Sequence, residues 1–86
     1  VPRISSFYGI VIYMYWRDHA PPHFHAQYGE HWAELAIGDG RLLGGRLPPR
    51  ALRMVEEWRR AHEHELIETW RLVQRPEPPA QIEPLP

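Results

Sequence analysis

Three histidines fall within seven residues, His19, His23 and His25, with Pro21 and Pro22 between the first two. The stretch HFHAQY from residue 23 alternates polar and apolar side chains with a period of two. On a strand this places His23, His25 and Gln27 on one side and Phe24, Ala26 and Tyr28 on the other. His19, just ahead of the prolines, is positioned to fold back toward the pair. Three imidazoles so spaced are a route to a three-nitrogen metal site with an open position, for zinc or another divalent metal. Such a site needs neutral rings and acceptors for their second nitrogens, and Asp18 and Glu34 are the nearest candidates. His31 joins them if the second and third strands pair. The same residues also suit metal-free chemistry. His23 and His25 would act as general base and general acid in RNA cleavage, with Arg17 holding the phosphate. The plain alternative is a pair of sheet histidines beside a proline turn and an arginine that is merely on the surface.

Other polar groups carry less. His62 and His64 are two apart on a helical stretch, about 200° around the axis, and cannot chelate one ion together. His62 lies on the apolar stripe and reads as a core-edge residue, and His64 as solvated. Arg59, Arg60 and Arg71 are interleaved with Glu56, Glu57, Glu63, Glu65 and Glu68. Mixed charge of this kind makes a solvated helix face. Removal of Val1 as an initiator would expose Pro2 as a secondary amine, but nothing else in the sequence supports a catalytic role for it.

The elements that position the histidines follow from patterning. From Phe7 to Trp16 only Gly9 is neither apolar nor aromatic, which reads as one strand after a turn at Ser5-Ser6. Ile10, Ile12, Met14 and Trp16 share one face of it, and Val11, Tyr13 and Tyr15 the other. Pro21 and Pro22 end that strand, since neither donates to a ladder. HFHAQY resumes, Gly29-Glu30 turns, HWAELAI forms a third strand, and Gly38-Asp39-Gly40 leads into a short fourth, RLLGGRL. Pro48 and Pro49 suit a helix start. Ala51, Val55, Trp58, His62, Leu66, Trp70 and Val73 recur at steps of three and four, one face of a helix of about 26 residues. A break near His62–Glu65 is the one interruption the stripe suggests, and Pro76 is expected to end the helix. The expectation is an α+β fold, a small antiparallel sheet of three to four strands packed against one long C-terminal helix. Residues 1–75 form a single domain and 76–86 a proline-rich tail. That tail either lies back through Ile82 and Leu85 or extends as a polyproline-like arm.

Composition sets the outer limits. The chain has 86 residues, room for one small domain, and a formal net charge of -1. That balance supplies no global basic field for nucleic acid. All ten basic residues are arginine and there is no cysteine, so disulfides and thiolate sites are excluded. No apolar run reaches the roughly 20 residues of a membrane span, and the N-terminus lacks a signal-peptide pattern. A cytoplasmic protein is expected.

PRISSFYGI, followed by Tyr15-Trp16-Arg17-Asp18-His19-Ala20-Pro21-Pro22-His23-Phe24-His25, resembles a widespread bacterial family of small proteins of unknown function. The resemblance covers most of residues 2–74 and includes a Leu66–Trp70 helical segment. It implies a partner encoded by a neighbouring gene, in pairs that look like toxin–antitoxin modules, and places the family signature on His19, Pro21, Pro22, His23 and His25. Two functional readings follow. One is an interaction partner in such a two-gene module, with a homodimer also open. The other is a histidine-based or metal-assisted hydrolase or ribonuclease centred on His23 and His25. DNA-binding regulation lacks a helix-turn-helix pattern.

Overall fold

The computed structural model describes every residue except Pro76. Five strands precede two helices: β1 (Arg3–Phe7), β2 (Ile10–Tyr13), β3 (His23–Tyr28), β4 (His31–Ala36), β5 (Leu42–Arg46), α1 (Pro49–Ala61) and α2 (Glu63–Val73). The strands form one antiparallel sheet in chain order. The class is α+β, but the element count differs from expectation in two places.

The first difference lies in the apolar run. Tyr8 and Gly9 both take positive φ, 50° and 81°, the pattern of a two-residue type I′ hairpin turn. Phe7 therefore pairs with Ile10, and what reads as one strand is the end of β1 followed by β2. Phe7 and Ile10 both enter the core, so the apolar run continues across the turn and conceals it. Ser5 and Ser6 belong to β1 rather than to a turn. The additional strand brings the sheet to five.

The second difference is in the helix, which breaks at His62 (φ -125°, ψ 26°). The His62 ring Nδ1 lies 2.6 Å from Glu65 Oε1, a side-chain contact across the first turn of α2. Both halves bury their stripe, Val55 and Trp58 before the break and Leu66 and Val73 after it, and the bend lets both reach the sheet.

The helices cover one face of the sheet. Ile10, Ile12, Phe24, Ala26, Ala33 and Leu35 meet Val55, Trp58, Leu66 and Val73 in a single core. The Trp58 ring is fully buried, with its centroid 5.5 Å from Phe7 and 5.8 Å from Phe24. The segment after the helices folds back. Ile82 N–H donates to Ile4 O at 2.9 Å, the Trp58 indole donates to Glu83 O at 2.8 Å, and Ile82 joins the core. The expected helix stop at Pro76 lies outside the described residues; α2 ends at Val73 with Gln74 as its cap. Among the described residues, no helix is long and apolar enough to cross a membrane.

Candidate metal centre

The face away from the helices is set by register. Tyr13 on β2, His25 on β3 and Glu34 on β4 lie directly across from one another. Val11, Gln27, Trp32 and Arg46 form the next row. Directly paired antiparallel residues share a face, so His25 stands between Tyr13 and Glu34. Its ring stacks on Tyr13 at 5.2 Å and meets the edge of Tyr15 at 4.7 Å.

His23 begins β3 and is 1% exposed. Trp70 of α2 packs against its ring, with centroids 5.2 Å apart. His23 Nδ1 lies 2.7 Å from Pro21 O. A carbonyl only accepts, so Nδ1 carries the hydrogen. The loop between β2 and β3 then delivers Asp18. Arg17 N–H donates to Val73 O at 2.8 Å, tying this loop to the end of α2. Asp18 Oδ2 sits 2.9 Å from His23 Nε2 and 3.4 Å from His25 Nε2. Its other oxygen, Oδ1, accepts the His19 N–H at 2.9 Å.

With a proton on Nδ1, the 2.9 Å contact of His23 Nε2 with Asp18 Oδ2 is bridged either by a second ring proton or by a cation in its place. Burial holds the His25 pKa below the ordinary histidine value, a like-charge effect from His23 adding to it and Asp18 and Glu34 opposing. The neutral, ligating form of His25 is thereby favoured. Burial pushes the Asp18 carboxyl up, but the His19 N–H and the hydrogen bonds from His25 and His23 outweigh it and hold the group below its usual value. Tyr13 is raised, by burial first and then by Tyr15 and Glu34.

Asp18, His23 and His25 each offer a ligand atom, all within 4.8 Å of one another. Tetrahedral zinc with bonds of about 2.0–2.1 Å places its ligand atoms about 3.4 Å apart. The His25–Asp18 separation already matches, and the His23–Asp18 separation has to open by about half an ångström. Pro21 O supplies the outer acceptor that fixes a ligating imidazole's tautomer. Glu34 Oε1, 3.8 Å from His25 Nε2, borders the same point.

Of the residues singled out in the sequence, His23 and His25 are brought together and buried. His19 Nδ1 lies 2.9 Å from Asp18 Oδ1, the oxygen turned away from the pair, and its ring is exposed. Arg17 is exposed, and its backbone takes positive φ, 53°. His31 pairs with Tyr28 at the far end of β3–β4. Sequence reasoning placed Asp18 as an outer acceptor; the structure sets its Oδ2 against both histidine Nε2 atoms, within the group of three that could hold a metal ion. Trp70 as the wall behind His23 was not visible, because the stripe assigns it to the core.

No curated protein and no solved structure matches the chain. The family model described as a domain of unknown function (DUF4160) matches residues 9–71, a span that takes in Asp18, His23, His25, Glu34 and Trp70, and the chain belongs to that family.

Proposed function

We propose that Asp18, His23 and His25 hold a divalent first-row cation, zinc in the first place, and that the protein is a metal-assisted hydrolase. One observation carries this reading. Two buried histidines present Nε2 to one carboxylate oxygen, at 2.9 and 3.4 Å, and the ring of the first is fixed by the Nδ1 hydrogen bond to Pro21 O. Two nitrogens and one carboxylate oxygen leave coordination positions open for water and substrate. The cation would supply Lewis acidity and a lowered water pKa. Glu34, with Oε1 3.8 Å from His25 Nε2, would take the proton. Arg17, exposed and adjacent to Asp18 in the chain, is the candidate for holding an anionic group.

The test is metal stoichiometry of purified, untagged protein, measured beside the His23→Ala/His25→Ala double variant. About one equivalent in the wild type and none in the variant is the expected result. Absence of metal from wild type that has been offered zinc and manganese overturns the reading. The second reading, an interaction partner encoded by a neighbouring gene, draws on the exposure of Trp16, Tyr15 and Trp32. It predicts complex formation that survives the double substitution.

A further inference from the structure

Hydrolysis at Asp18, His23 and His25 does not account for the rest of the face on which His25 stands. Trp32 is 51% exposed and Tyr15 43%. With Tyr13, His25, Gln27 and Glu34 they line a cleft of about 440 Å³. His25, a proposed ligand, is part of that lining. Arg3 borders the adjoining part of the face beside Tyr13 and Gln27, and Arg46 is paired with Trp32 across β4–β5. Two guanidinium groups thus flank a row of aromatic and amide side chains.

We infer that this face binds a single-stranded polynucleotide, with an unpaired base in the cleft beside Trp32 and Tyr15 and its phosphates running between Arg3 and Arg46. Three arguments carry the choice of occupant. Aromatic side chains offer π faces to unpaired bases whatever their sequence, and Gln27 adds an amide donor and acceptor. The buried core of a protein–protein interface is depleted of charged residues, and this cleft holds the Glu34 carboxylate and the His25 imidazole among its rings. Charge supplies the third, and here the inference rests on the metal reading. Arg3 and Arg46 are cancelled by Asp18 and Glu34, and a divalent cation leaves the face at +2. The chain's net charge of -1 therefore does not describe the surface a phosphate would meet. The backbone of such a strand is a phosphodiester, which also defines the bond hydrolysed. Water adds to phosphorus and gives its proton to Glu34, one P–O ester bond breaks, and the departing sugar oxygen takes a proton from solvent.

The test is fluorescence anisotropy with a labelled 12-residue RNA, the same sequence as single-stranded DNA, and a duplex. Each is titrated with full-length protein at low salt, with zinc or with EDTA, and the metal content of every variant is measured separately. The expected result is micromolar binding of one or both single strands, at least tenfold weaker in EDTA. The salt dependence should have a slope of about -1.4, that of two phosphates neutralised on a single strand. Trp32→Ala and Arg46→Gln should each weaken binding about tenfold at unchanged metal content, and Trp32→Phe should restore most of it. Binding of RNA alone or of both strands identifies which source of phosphodiester the face accepts. Metal-loaded protein that leaves every oligonucleotide unbound overturns the inference and leaves the metal centre standing. Wild type that takes up no metal removes the centre and the inference with it. A Trp32→Ala variant that changes oligomeric state while oligonucleotide binding is unaffected makes the face a protein interface and overturns the inference.

Discussion

Two charged clusters sit at the edges of the core, and they are built on opposite principles. Around Arg59, donors and acceptors match. Its side chain is nearly buried, Nε and one terminal nitrogen donate to the two oxygens of Glu56, and the other donates to Ile37 O at 2.8 Å. The planar fork of arginine suits this arrangement, and it fastens α1 to the end of β4. Around Asp18, ligand-type atoms of three side chains converge. One oxygen faces the Nε2 atoms of two histidines, and one of those histidines also donates its Nδ1–H to Pro21 O. The first cluster is complete as an ion pair closed by a backbone carbonyl, and the second gathers three atoms that could hold a cation. Burial is common to both, so it is the kind of atoms brought together that separates them.

The contrast is broken or sharpened most strongly by removing one member from each side. Arg59→Ala leaves Ile37 O without its donor and Glu56 without its partner. We expect a loss of about 3 kcal/mol, since breaking a buried pair costs far more than the pair contributes. In a domain of this size that lowers the melting midpoint by more than about ten degrees. Asp18→Asn should do the reverse in metal-free protein. The amide can donate to the His23 Nε2 lone pair, so stability should stay within about 1 kcal/mol of wild type, while metal uptake is lost. Denaturant titration of both variants in EDTA decides the matter. Equal destabilisation by the two would erase the distinction.

Metal addition is the next largest effect. At a free zinc concentration 100 times the dissociation constant, binding to the folded state alone adds about 2.7 kcal/mol. The wild-type midpoint should rise accordingly, and that of His23→Ala/His25→Ala should not move. Calorimetric scans at matched protein concentration read this directly. A rise of equal size in the double variant would assign the effect to other ligands.

A smaller perturbation acts on the complete cluster through the turn below it. Gly40 takes a φ of 74°, and a Cβ there would run into the Glu56 carboxylate and Arg59 Nε. Gly40→Ala combines backbone strain with displacement of that ion pair, and a loss of about 1–2 kcal/mol in a thermal melt is expected. Metal content should be unchanged, because the turn is not among the elements that hold Asp18, His23 or His25.

The two clusters also differ in how far the sequence revealed them. The alternation of HFHAQY put His23 and His25 on one side and Phe24 and Ala26 on the other, because a strand's period is local and survives folding. Asp18 was adjacent in the chain, but its ligand-like position depends on the Arg17–Val73 hydrogen bond to α2, a contact no local pattern encodes. The Arg59 cluster was missed for the same reason. On a helix with many charges Arg59 reads as solvated, and only the approach of Ile37 and Glu56 makes it a core residue. The Tyr8–Gly9 hairpin left a faint signal, a lone glycine within an apolar run. The break at His62 left another, a polar residue on the stripe with a glutamate three positions on. The polar residue on the stripe marks the helix break, whereas the apolar run continues across Tyr8 and Gly9 and hides the hairpin.

The smallest effect separates the ionic part of the complete cluster from its packing. Hydrogen bonds from Arg59 hold the Glu56 carboxyl below its usual value, burial opposing and Arg60 adding. The unfolded chain therefore binds a proton at Glu56 at a higher pH than the folded protein does. The stabilisation is complete above the unfolded value of about 4.5 and is lost as the pH falls through the lowered folded value. Glu56 is partly exposed, so solvent screening keeps its share to about 1 kcal/mol. Asp18 is shifted in the same direction, so the acid limb of the wild-type curve mixes the two clusters. Comparison with Glu56→Gln isolates one of them. Wild type should be the more stable by about 1 kcal/mol at pH 7, and the difference should close toward zero as the pH drops below 4.5. A difference that stays constant with pH would make the Arg59 cluster a matter of shape and neutral hydrogen bonding, and would leave Asp18 as the carboxylate behind the acid sensitivity.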